Sequence, residues 1–155
     1  MLLSMATEPF AELVGRIINN CGALELFTDN TIRALSKDDL LFNEIIDTAF
    51  ARRIQVVRKL LKRANRHNSE IESLLNSILE LAKDRNLVAH NPIASSDEQG
   101  TDSYVLVVRH KTGFPPGMDK LDRARLEDIA ERSRAAMAEF LRLLPGARQV
   151  EPHSW

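Results

Sequence analysis

The sequence predicts an all-α fold, an antiparallel bundle of four to five helices with a small β-hairpin or strand insertion at about residues 93–111, after the fourth helix. Apolar residues recur at three- and four-residue steps along most of the chain, and capping residues precede several of these stretches. One short β-branched run interrupts the pattern. The length of 155 residues suits a single domain, expected over residues 1–146 and followed by a flexible tail at 147–155.

The first helix is predicted to run from Thr7, as its N-cap, to Leu35, because the apolar residues of this stretch share one face. Gly15 and Gly22 weaken the helix, and a close contact with another helix would explain them. A second helix is expected to open with Ser36 and Asp39, which resemble a capping box, and to run through Leu40, Leu41, Ile45 and Ile46.

The third helix begins at Phe50 and carries the only strongly basic segment of the sequence. Its apolar stripe consists of Ile54, Val57, Leu61 and Ala64. The other side has no acid and carries Arg52, Arg53, Arg58, Lys59, Lys62, Arg63 and Arg66. One interpretation is a solvated face whose charges pair with the preceding acids, Asp38, Asp39, Glu44 and Asp47.

The fourth helix is predicted to start with a capping box formed by Ser69 and Glu72. It should end at about His90, because Pro92 disfavours helical geometry in the residue before it.

Beyond Pro92, the run from Tyr104 to Val108 predicts a strand, hairpinned with Ile93 and Ala94. The last helix should begin at Asp119 or Asp122 and stop before residues 145–146, a Pro-Gly pair.

Composition and charge narrow the class of protein. An apolar fraction of 44% excludes wholesale disorder, and a net charge of -1 excludes a global positive field that would attract nucleic acid or membrane. The single cysteine, Cys21, cannot form an internal disulfide, and no metal-ligand spacing is present, so neither a metal nor a cofactor is expected. The apolar start is too short for a signal peptide or a membrane span, which favours the cytoplasm.

The candidate chemistry lies at the end of the fourth helix. Helical periodicity turns Arg85 toward the core, while Asn86 and His90 share an edge of the same face. A buried guanidinium needs an anionic partner, for which Glu25 is the first candidate. A fixed cation, an amide and an imidazole that exchanges protons near neutral pH suit a phosphodiester substrate.

The segment from Arg85 to His90, an Arg and a His separated by four residues at a helix end, resembles the motif of HEPN domains. The order of a long first helix carrying Glu25, a basic helix and a motif helix is also similar to that family. Where some HEPN toxins carry a regulatory Tyr two residues beyond the His, this chain has Pro92.

The resemblance implies a two-fold homodimer and a metal-independent endoribonuclease, a toxin or phage-defence component that works with an antitoxin or another protein partner. His90 would act as base or acid, Arg85 would hold the scissile phosphate, Asn86 would orient these groups, and Glu25 would support them. The product would carry a 2′,3′-cyclic phosphate. In this setting the RNA-binding candidates are Arg52, Lys59, Lys62, Arg63 and Arg66.

The same residues fit two alternatives. The first is a HEPN-like module that binds RNA, a nucleotide or a partner protein without cleaving it. The second is a purely architectural bundle, in which Arg85 pairs with an acid and Asn86 and His90 cap the helix.

Overall fold

The computed structural model describes residues 8–91, 93–95, 103–109 and 117–148, with side chains for 10–91 and 121–147. The predicted all-helical bundle is confirmed. Its five helices are α1 Glu8–Ser36, α2 Asp39–Ile46, α3 Phe50–Arg63, α4 Ser69–His90 and α5 Arg123–Leu143. Thr7, the expected N-cap of α1, lies outside the described residues.

Helix α1 is the centre of the bundle, because it packs against each of the other four helices. Its length of 29 residues, about 43 Å at 1.5 Å per residue, lets one element contact neighbours on several sides. The side chains removed almost completely from solvent come from α1, α3, α4 and α5: Ile17, Leu24, Ile32, Ile54, Val57, Leu61, Leu75, Ile78, Leu81, Leu126, Ile129 and Phe140. A 3₁₀ turn, Pro145–Arg148, follows α5 and packs on α1.

Polar side chains cap the first turns of α2 and α4. Asp38 caps α2 by accepting hydrogen bonds from the backbone N–H groups of residues 40 and 41, so the expected capping box of Ser36 and Asp39 is wrong.

Asn68 caps α4 by accepting a hydrogen bond from the N–H of Ile71, so the predicted capping box of Ser69 and Glu72 is wrong. The Glu72 carboxylate instead binds the side chains of Arg58 and His67.

Three short antiparallel strands lie between α4 and α5. They are β1 Ile93–Ser95, β2 Ser103–Arg109 and β3 Gly117–Leu121, with β2 in the middle. Val105 of β2 lies opposite both Ile93 and Leu121. Asp119 belongs to β3, so of the two predicted starts of α5 only Asp122 is retained, as its N-cap.

The two glycines of α1 do not mark close helix contacts. A Cβ atom built on Gly15 or Gly22 would have no heavy atom of another element within 4 Å, so the expected tight packing at these positions is wrong. None of the described helices combines the length and the apolarity that crossing a bilayer requires.

Candidate active site

An open groove of about 670 Å³ lies where α1, the start of α3 and the second half of α4 meet. Helix α1 contributes Cys21 and Glu25, α3 contributes Phe50 and Arg53, and α4 contributes Arg85 with its neighbour Asn86. The volume is in the range of small-molecule sites. Lys83, Glu80 and Gln55 also line the groove, so three cations, two carboxylates and two amides share one cavity with apolar residues.

Arg85 is held loosely in this groove. Its Nη1 donates a hydrogen bond to Asn86 Oδ1 at 3.1 Å, and its Nη2 lies 3.7 Å from Glu25 Oε1. That second distance is a charge contact too long for a hydrogen bond. About a third of the side chain is exposed, while Nε is buried without a hydrogen-bond partner. The guanidinium thus keeps donors available for an anion.

Glu25 is held more firmly by Arg53 than by Arg85. Arg53 Nη2 donates to Glu25 Oε2 at 3.0 Å, and Arg53 Nη1 donates to both carboxylate oxygens of Asp29, at 2.8 and 2.7 Å. The Arg53 side chain is only 10% exposed. The three groups form a partly buried network that fixes the Glu25 carboxylate beside Arg85.

The protonation of this network follows from burial and pairing. Burial raises the pKa of Asp29 above 3.8, although the hydrogen bond and charge of Arg53 oppose the shift. For Arg53, burial is the largest single effect and disfavours the charge, but the hydrogen bonds and charges of the two carboxylates together outweigh it and raise the pKa of the guanidinium above its ordinary value. Arg53 is therefore a permanent cation inside the bundle.

Cys21 forms part of the groove lining and is 4% exposed. Burial raises the pKa of its thiol to about 11, and the charge of Arg85 opposes that rise. At neutral pH the thiol is protonated, so it is a packing group and not a nucleophile.

His90 is separate from this network. It is exposed in the last turn of α4 and is not among the residues that line the groove. No hydrogen bond or ion pair within the described part of the chain reaches its imidazole. The structure therefore brings Arg85, Asn86 and Glu25 together and leaves His90 facing solvent at the end of the same helix.

The five RNA-binding candidates are all exposed. No ion pair involves any of them within the described ranges, so the expected pairing with the acids at positions 38–47 does not form there. Arg58, which the sequence grouped with them, instead donates to Glu72, Gln55 and Asn76. We call the exposed set the α3 stripe: Arg52, Lys59, Lys62, Arg63 and Arg66.

Arg53 and its partner Asp29 are the site residues that sequence reasoning missed. Arg53 was grouped with the basic side of α3, yet it precedes the fully buried Ile54 and lies one turn before Val57. At 100° per residue it falls at the edge of the apolar face, and this spacing was the signal that could have identified it.

No family model, curated protein or solved structure matches this chain. Within the described residues, no three side chains of His, Cys, Asp or Glu are grouped in a way that could hold a metal ion. The assignment of a function therefore depends on the geometry of the groove and on the residues around it.

Proposed function

We propose that this chain is a HEPN-type, metal-independent endoribonuclease in which Arg85 binds the scissile phosphate. The observation that carries the proposal is the state of Arg85: a guanidinium in an open groove, with a 3.7 Å contact to Glu25 and no hydrogen bond to it. A phosphate oxygen would displace a weak contact and gain charge-assisted hydrogen bonds. Glu25 would keep its hydrogen bond to Arg53 when this happens.

The reaction needs two proton transfers. The ribose 2′-hydroxyl loses a proton as its oxygen attacks phosphorus, and the P–O5′ bond breaks as the leaving 5′-oxygen gains a proton. The products are a 2′,3′-cyclic phosphate and a free 5′-hydroxyl. Arg85 would offset the charge that develops on the phosphate oxygens, and Asn86 would orient the guanidinium to which it is bonded.

One imidazole per chain would serve as acid and base together only if a second copy supplied the other. The outer strip of α4 offers room for that copy, because Lys83, Asn86, Ala89 and His90 are exposed. We therefore place His90 in a cleft between two protomers, as base from one and acid from its partner. A cytoplasmic toxin or defence protein with an antitoxin partner belongs to the same proposal.

Cleavage of mixed-sequence RNA in EDTA tests the proposal. The wild-type protein should release fragments with 2′,3′-cyclic phosphate ends, and His90→Ala and Arg85→Gln should each reduce the rate by at least 10²-fold. His67→Gln is the matched control, because His67 is the other described imidazole and binds Glu72 in the α3–α4 turn. Equal rates in wild type and His90→Ala, with both folded, would identify a contaminant and refute the enzyme.

A second candidate is favoured by one observation, the absence of an orienting partner for His90 among the described residues. A catalytic imidazole is normally held by a hydrogen bond to its second nitrogen. The candidate is a module that binds RNA on the same groove without cleaving it. Tight RNA binding weakened by Arg85→Gln, with no cyclic phosphate formed by the dimer, would favour this function.

A further inference from the structure

We propose that the α3 stripe is a track for the sugar-phosphate backbone of single-stranded RNA, which it binds without regard to base sequence. The inference deepens the proposed function, on which it rests for the identity of the polyanion. It adds that the substrate is a polymer several nucleotides long, held along α3 apart from the cleavage site.

The stripe is a continuous row of positive charge. Arg52, Lys59 and Arg63 lie within about 40° of one another around the helix, and the rise from the first to the last is about 16 Å. Arg66 extends the row beyond the helix end. Its N–H donates to the carbonyl of Leu61 at 2.9 Å, and Asn65 adopts a left-handed conformation with φ 53°, so a Schellman turn fixes the backbone at Arg66.

Helix stability does not explain this arrangement. Lys62 and Arg63 do lie in the last turn, where the helix dipole favours cations. Arg52, however, lies in the first turn, where the dipole disfavours a cation and α3 has no acid. Lys59 is three residues before Lys62 and four before Arg63, spacings at which like charges repel. Arg52 and Lys59 therefore weaken their own helix, as residues kept for an anionic ligand would.

The stripe also leads out of the groove. Gln55 forms part of the groove lining, and it lies one helical turn from both Arg52 and Lys59 on the surface of α3. A strand whose phosphate rests on Arg85 can therefore continue from the start of α3 toward Arg66. The groove and the stripe form one path for an extended backbone.

The geometry favours a single strand over the other polyanions. Proteins that bind RNA duplexes contact about 16 base pairs across two minor grooves, a footprint much longer than this row. A membrane surface is disfavoured because the apolar face of α3, Ile54, Val57 and Leu61, is fully buried in the bundle and cannot enter a bilayer. Base-specific recognition would need stacking platforms, and aromatic residues make up only 5% of the sequence.

The inference is tested by measuring RNA binding in a variant that lacks the proposed catalytic imidazole. In a His90→Ala background, the affinity for an unstructured 12-mer of uridine is measured by fluorescence anisotropy at several salt concentrations. The stripe variant is Lys59→Gln, Lys62→Gln and Arg63→Gln together. Its matched control is Arg123→Gln, Arg134→Gln and Arg142→Gln on α5, which removes the same charge from exposed residues that pair with acids.

The stripe variant should lose at least tenfold in affinity, and the slope of log affinity against log salt should become less negative by about 2, at about 0.7 per lost phosphate contact. The control should keep both the affinity and the slope of the His90→Ala protein. The stripe variant should also unfold at the same or a higher urea concentration than its parent in low salt.

Equal losses in the two variants, or an unchanged salt slope, would overturn the inference. Retention of RNA affinity in the stripe variant with loss of binding to vesicles containing phosphatidylserine would assign the stripe to a membrane instead. If the wild-type protein binds the 12-mer through the stripe but forms no cyclic phosphate, the enzyme fails and the backbone track stands.

Discussion

Helices α3 and α5 carry similar numbers of basic residues but hold them in opposite ways. All five arginines of α5 contact a carboxylate, either three or four residues away on the same helix or on α4. On α3 and its following turn, five basic side chains are exposed and pair with no acid in the part of the chain that the structure describes.

The ion pairs of the two helices therefore have different origins. The sequence of α5 contains acids at i,i+3 and i,i+4 spacing, so each arginine finds a partner locally. Helix α3 contains no acid, and among the described residues only the two arginines at the edges of its apolar face, Arg53 and Arg58, have acidic partners, on α1 and α4. On α3, tertiary packing selects which charges are neutralised.

The largest expected change in unfolding free energy distinguishes the buried arginine of α3 from an exposed one. Arg53→Met leaves the carboxylates of Asp29 and Glu25 without their cation, and removal of one member of a buried pair costs about 3–5 kcal/mol of unfolding free energy. Arg52→Met, one residue away and exposed, should change it by less than about 0.5 kcal/mol. Urea unfolding measures both. Similar values for the two variants would mean that Arg53 is not the buried cation of the bundle.

The next largest change in unfolding free energy is expected at Asp84, a carboxylate of α4 that contacts two arginines of α5. Asp84 is 14% exposed, accepts a hydrogen bond from Arg132 at 2.8 Å and lies 3.5 Å from Arg125. Asp84→Asn should lower the unfolding free energy by about 1–2 kcal/mol. Asp128→Asn, which removes an exposed partner of the same two arginines, should change it by about 0.5 kcal/mol or less. The reverse order would show that local pairs dominate on α5.

A smaller effect concerns Glu72, the partner of Arg58. The hydrogen bond with His67, and then the charge of Arg58, lower the pKa of Glu72 below 4.5. The carboxylate therefore stabilises the fold above pH 4.5, and this contribution is lost as the pH falls through the lowered pKa. Glu72→Gln should cost about 0.5–1 kcal/mol at pH 7. The difference in unfolding free energy between Glu72→Gln and wild type should be smaller at pH 3 than at pH 7. Urea unfolding at both pH values measures this difference, and equal differences at the two would contradict the prediction.

The smallest change in unfolding free energy is expected when α3 is given an acid at the spacing found on α5. Lys59→Glu places a carboxylate three residues before Lys62 and four before Arg63, the spacing that pairs the arginines of α5. The unfolding free energy should rise by about 0.3–0.5 kcal/mol at low salt, and 1 M salt should remove most of the gain. Lys59→Gln is the control for loss of repulsion alone. A stability that does not respond to salt would exclude charge as the cause.

Much of the fold could be predicted from local patterns. The periodicity predicted the helices to within a few residues at their ends, and Pro92 marked the end of α4. Capping was less certain, because Asn68 and Ser69 are neighbouring residues that can both cap a helix, and only the chain geometry selects between them. Gly15 and Gly22 misled for a similar reason, since a glycine does not reveal whether another element lies beside it.

The sequence by itself determined the helical periodicity and the inward position of Arg85, because a helix places residues around its axis at a fixed angle. Only the tertiary structure decided that Glu25 lies beside Arg85 and is anchored by Arg53, and that the α3 stripe has no ion-pair partner among the described residues. The physical reason is that an ion pair between helices depends on distances across the bundle, which residue spacing within one helix does not contain.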